Sequence, residues 1–99
     1  MLEVKYTKSF KKDFKLMMKR GCSLDKFITA VDLLKAQQPL PVAYRDHSLK
    51  GKQYKGCREC HIKPDWLLVY RIIDEELILE LLYTGTHSDL FQLAQMTIQ

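Results

Sequence analysis

All three histidines of the chain, His47, His61 and His87, fall in its second half, each at a boundary between stretches of regular pattern. Asp65 follows His61 across Lys63-Pro64, which has the chemistry of a tight turn. Antiparallel pairing across that turn would bring His61 near Asp65 and Trp66. Several imidazoles, a carboxylate and nearby cations are what RNA cleavage without a metal requires. The 2′-hydroxyl must lose a proton to attack the phosphate, the 5′-oxygen must gain one to leave, and the phosphorane charge must be neutralised. An imidazole with a pKa near about 6.5 serves either proton transfer at neutral pH, and Lys or Arg supply the charge. Histidines at strand ends are also commonly structural or solvated, and the residues alone leave both readings open.

A second pattern competes for the same residues. Cys57-Arg58-Glu59-Cys60-His61 fits C-x-x-C-H, the attachment pattern of a c-type haem. The same thiols could enter a zinc site with His61 and either His47 or Cys22. On a strand, however, an odd separation sends Cys57 and Cys60 to opposite faces. The plainer expectation is one cysteine in the core and one near the surface. Trp66 and Phe91 also carry two readings. Each can pack in a core, and Phe91, one helical turn after His87, could stack a base beside it.

The elements that must position these groups read as follows. Leu2, Val4 and Tyr6 alternate with Glu3 and Lys5, a short strand. Thr7 or Ser9 can cap a helix whose apolar positions are Phe10, Phe14, Met17 and Met18, ending at Gly21. Ser23 caps a second, with Leu24, Phe27, Ile28, Val31 and Leu34 inward, stopped by Pro39 and Pro41. Residues 42–56 show no clean period and read as a surface loop. Cys57 to Ile62, Trp66 to Ile73 and Leu77 to Tyr83 read as strands, the middle one buried on both faces. Asp74-Glu75 turns the chain, and Ser88 to Gln95 reads as a last short helix. The order indicates an α+β fold, a small antiparallel sheet packed against two N-terminal helices.

Composition narrows the class. At 99 residues the chain fits one domain, and 46% hydrophobic with 28% charged residues is ordinary for a globular protein. The longest apolar run, Trp66 to Tyr70, is far short of the roughly 20 residues of a membrane span. Met1 to Tyr6 holds no apolar stretch suited to a signal peptide, so the expected compartment is the cytoplasm. Three cysteines cannot all pair within the chain, and reduced thiols fit that compartment. The net charge of +4 is unevenly spread: residues 1–20 carry +5, residues 45–63 carry +4 and residues 64–99 carry −5. Such clustering suits a polyanionic partner, although a solvated basic face accounts for it equally well.

Three ordered strings resemble the RelE/ParE superfamily of bacterial type II toxins, in its YafQ-like branch. They are Asp46-His47-Ser48-Leu49-Lys50-Gly51, Cys57 to Tyr70 with its H-x-x-P-D-W core, and Thr84 to Phe91. Ser9 to Asp13 also looks like the family's first helix. The resemblance implies a RelE-like fold over residues 1–92 with a short C-terminal helix, and a tail, 93–99, expected to be disordered. It implies a ribosome-dependent mRNA endonuclease silenced by a co-expressed antitoxin, often a ribbon-helix-helix DNA-binding protein. It implies no cofactor, no metal, no membrane, and DNA met only through the antitoxin complex.

Position by position, His47, His61, Asp65 and His87 match the family's catalytic group, and Trp66 and Phe91 its supporting aromatics. His87 is then the general acid and His47 or His61 the base, with Asp65 orienting or sharing that role. The family's Arg four residues before the last His is Tyr83 here. Phosphate charge would therefore fall to Lys50, Lys52, Lys55 or Arg58, and ribosome binding to Lys8, Lys11, Lys12, Lys15 and Lys19. ParE-type relatives poison gyrase on the same fold, so a non-nucleolytic binding toxin is the rival reading.

Overall fold

A computed structural model describes residues 1–90. Strand β1 (Glu3–Tyr6) leads into helices α1 (Lys8–Lys19) and α2 (Leu24–Lys35). A two-residue strand β2 (His47–Ser48) precedes a meander of β3 (Cys57–Lys63), β4 (Trp66–Ile73) and β5 (Ile78–Gly85). Thr7 and Ser23 are the N-caps: the Thr7 hydroxyl accepts from the Phe10 amide at 2.9 Å, and the Ser23 hydroxyl accepts from Asp25. Gly21 takes φ +84 in the link between the helices, a conformation that suits glycine.

The five strands lie in the order β1-β5-β4-β3-β2. The architecture is the expected α+β one, with one pairing of different sense: β1 joins β5 in parallel, Glu3 opposite Ile78. Two helices separate β1 from the meander, and so long a crossover can return the chain in the same direction. All other pairs are antiparallel.

Both helices cover one face of the sheet. Phe10, Met17, Phe27, Ala30 and Leu34 pack there on Cys60, Ile62, Trp66, Leu68, Tyr70, Leu79 and Leu81. Phe27 bridges the layers, its ring 6.0 Å from both Phe10 and Trp66. Leu24 and Ile28, expected inward, are 42% and 49% exposed, and Ala30 takes the inner position. The stripe Phe27-Ala30-Leu34 turns those two outward. Strand β4 is buried from Trp66 to Tyr70, as its composition implies.

Residues 42–56 are more ordered than a loop. They hold helical turns at Val42–Tyr44 and Lys52–Tyr54 around β2. Asp46 anchors the segment, receiving the Tyr70 hydroxyl and the Arg58 guanidinium, whose NH2 lies 2.9 Å away. No helix among the described residues is long and apolar enough to cross a membrane.

Candidate active site

The histidines converge from three places along the chain. In the β2–β3 ladder His47 stands opposite Glu59, and in the β3–β4–β5 ladder His61, Leu67 and Gly85 form one row. His87 follows that row's end by two residues. The His61 ring lies 6.2 Å from His47 and 5.5 Å from His87, centroid to centroid. His61 thus neighbours both of the other imidazoles.

Each ring is held differently. His47 Nδ1 donates to the Arg45 carbonyl at 2.7 Å, because a carbonyl can only accept, and its Nε2 faces Glu59 at 3.4 Å. Arg45 is in the left-handed region (φ 48), a turn that aims its carbonyl back at the ring. His87 Nδ1 lies 2.7 Å from Asp65 Oδ1, and the same oxygen accepts the His87 backbone amide at 2.9 Å. Those two bonds hold the Asp65 carboxyl below its ordinary range. His61 has neither support. Its Nδ1 is buried without a hydrogen-bond partner among the described residues. Burial chiefly, then the nearby His87, Arg45 and His47, push its pKa below the usual imidazole value against the opposing pull of Glu59.

Asp65 was expected beside His61. The structure pairs it with His87 instead: His61 stands opposite Leu67, a register shift beyond it sets Lys63 opposite Trp66, and Asp65 in the turn meets His87. A second shift, between Val69 and Tyr70, leaves Leu82 as the extra residue on β5. It places Tyr83 opposite Val69 and so in the row of Glu59 and His47, while Thr84 turns to the helix side.

The other expected site residues divide. Trp66 is 1% exposed and stacked on Phe27, so it shapes the site from beneath and presents no face to a base. Arg58 is no free cation, since Asp46 and Ser48 engage its guanidinium. Lys50, Lys52 and Lys55 are exposed, as are Lys8, Lys11, Lys12, Lys15 and Lys19 on α1, and none of these is ion-paired among the described residues. Phe91 and the tail 93–99 lie outside the described residues, and of the C-terminal helix only the turn at 87–90 is described.

Cys57 and Cys60 are both buried, which corrects the expectation of one near the surface. Cys60 sits in the helix-side core with its thiol pushed up to about 12, chiefly by burial, whereas Cys57 lies opposite Arg71. They cannot clamp one haem or zinc. No group of three His, Cys, Asp or Glu side chains among the described residues is arranged to hold a metal.

The sequence reading missed the groups that fix His87. Thr86 and Asp89 cap its turn reciprocally: the Thr86 amide donates to Asp89 Oδ2 at 3.0 Å and the Asp89 amide to the Thr86 hydroxyl at 3.2 Å. Arg20, at the end of α1, ties Asp89 down at 2.9 Å. Thr-x-x-Asp is a variant of the capping box, a signal present in the string Thr86-His87-Ser88-Asp89. Gly85 belongs to the same device, since a Cβ there would stand 3.0 Å from the Asp89 side chain. Glu59 and Asp46 were missed because only strand register reveals their partners.

Beside His61 lies a cleft of about 380 Å³, lined by Lys26, Tyr44, Arg45, Lys63 and Pro64 among others.

Residues 2–92 match the family described as the bacterial toxin of type II toxin-antitoxin systems, YafQ. The mRNA interferase toxin YafQ of Escherichia coli K12 is 40% identical over 90 residues, covering 90% of this chain and 95% of that protein. A metal-bound toxin from Helicobacter pylori superposes with a TM-score of 0.86 at 46% identity, over 91% of this chain and 99% of that one. The toxin in the E. coli DinJ-YafQ complex gives 0.82 at 38% identity, over 92% and 99%.

Proposed function

The chain belongs to the YafQ family of bacterial type II toxins, and from that premise we propose that it is an mRNA interferase that cuts translated mRNA on the ribosome by proton transfer between imidazoles. The single observation that supports this most is the cluster of three histidines with His87 braced by Asp65.

His61 is the general base. Its depressed pKa keeps it neutral at physiological pH, able to take the 2′-hydroxyl proton. His87 is the general acid: Asp65 holds Nδ1–H, which leaves Nε2 to deliver a proton to the departing 5′-oxygen. The 2′-oxygen bonds to phosphorus as the 5′-oxygen leaves, giving a 2′,3′-cyclic phosphate and a 5′-hydroxyl end. His47, with both ring nitrogens engaged by Arg45 and Glu59, supports the site from beside His61. No step is routed through a metal. Lys8, Lys11, Lys12, Lys15 and Lys19 on α1, with Lys50, Lys52 and Lys55, face ribosomal RNA. The partner that silences the toxin is a cognate antitoxin, as DinJ is in complex with the E. coli YafQ, and the compartment is the cytoplasm. The cluster of histidines favours this over a purely binding toxin, which has no use for three neighbouring imidazoles.

Cleavage on programmed ribosomes with mapping of the new ends tests the reading. A 2′,3′-cyclic or 3′-phosphate end is expected. A 5′-phosphate end refutes the mechanism, and no cleavage refutes the activity.

A further inference from the structure

We propose that the cleft beside His61 is a nucleotide subsite, in which Lys26, Arg45 and Lys63 hold the backbone phosphate of the residue flanking the scissile bond while Tyr44 and Pro64 form an apolar wall for its base. It rests on the nuclease reading above and adds the place where the strand is gripped.

The cleft is assembled from three separate parts of the chain. Lys26 comes from α2, Tyr44 and Arg45 from the turn before β2, and His61 to Pro64 from the end of β3. The Tyr44 hydroxyl donates to the Lys26 carbonyl at 3.5 Å, joining two of these parts. Its volume, about 380 Å³, falls within the roughly 300–1,000 Å³ of small-ligand clefts.

Charge is the second observation. The lining holds Lys26, Arg45 and Lys63 and no carboxylate. The arginines Arg20, Arg58 and Arg71 each pair with a carboxylate, Asp89, Asp46 and Glu80 in turn. The three cleft cations have no such partner among the described residues. Uncompensated cations gathered around a concave surface fit a bound anion.

Position is the third. His61 lines the cleft and also belongs to the histidine cluster, 5.5 Å from His87. A phosphodiester at the cluster therefore places its neighbouring nucleotide at the cleft mouth. Arg45 serves both places, its carbonyl fixing His47 while its side chain lines the cleft. This is where the charge expected of Arg58 is supplied.

The probe is a fluorescent trinucleotide with 2′-O-methyl groups, which cannot be cut. Each phosphate contact on a single strand contributes about −0.7 to the slope of log K against log salt. With two phosphates engaged, one at the histidines and one in the cleft, the trinucleotide is expected to bind about sevenfold more weakly at 200 than at 50 mM salt, and losing the cleft contact in Lys26→Gln with Lys63→Gln leaves about threefold. On ribosomes the double variant is expected to raise KM with kcat retained. His87→Ala is expected to do the opposite, keeping trinucleotide binding and its salt slope while losing cleavage, so failure of the subsite and failure of the nuclease reading are separable. No trinucleotide binding by the unaltered protein, or an unchanged slope in the double variant, overturns the proposal. So does a double variant that binds RNA normally and antitoxin poorly, which would assign the cleft to a protein partner.

Discussion

Asp65 touches His87 twice through one oxygen, at 2.7 Å to Nδ1 and 2.9 Å to the backbone amide. Asp65→Asn keeps an acceptor in the same place and removes only its charge. A charge-assisted hydrogen bond is roughly twice as strong as a neutral one, so cleavage should slow by about tenfold. Removing the imidazole itself, in His87→Ala, should cost about 10²–10⁴. If Asp65 acts only through His87, the two losses do not add: in the His87→Ala background Asp65→Asn should change the rate by less than about twofold. Single-turnover cleavage of a reporter mRNA on programmed ribosomes measures all four rates of the cycle. Nitrogen-15 spectra of the imidazoles supply an independent reading. Asp65→Asn should move the His87 ring signals and leave those of His61 in place. A full tenfold loss in the His87→Ala background, or a shift of the His61 ring instead, would show that Asp65 works through another group and refute the pairing.

The lowered pKa of His61, caused first by burial, fixes a sign. The acid limb of kcat/KM should lie below the ordinary imidazole value of about 6.5, and a limb above it excludes His61 as the base. The same shift stabilises the fold fully above that value and less as pH falls through it toward the folded pKa, visible in urea midpoints across pH 5 to 7. Thr84→Val strands the buried Trp66 Nε1–H, which Thr84 Oγ1 accepts at 2.8 Å, and removes its own bond to the Leu67 carbonyl. The cost should be about 1–3 kcal/mol, at about 4–8 °C of Tm per kcal/mol; Thr84→Ser should lose less, and equal stability of the valine variant would contradict the account. Replacing Lys11, Lys15 and Lys19 by Gln should lower the salt slope of ribosome co-sedimentation by about 0.7 per lost contact, whereas an unchanged slope makes α1 a solvated face.

Much of the fold was legible because its signals are local. The stripes Phe10-Phe14-Met17 and Phe27-Val31-Leu34 mark helices by period, Thr7 and Ser23 mark their starts, and an unbroken apolar run marks the buried strand β4. The strings around His47, His61 and His87 named the family from sequence alone. What stayed hidden depends on register and on distant partners. Strand pairing set His61 opposite Leu67 and left Asp65 in the turn, where it meets His87, and the shift at Val69 decided that Tyr83, not Leu82, lies in the row of His47. Arg58 looked like a phosphate ligand until folding set it against Asp46, twelve residues earlier in the chain. Lys26, on a helix outside every motif, reaches the cleft only because α2 crosses the end of β3. Residue type and spacing therefore determined which chemistry was available. Strand pairing and helix placement decided which cations are neutralised and which histidine each carboxylate serves, because those are contacts between residues that the chain keeps far apart.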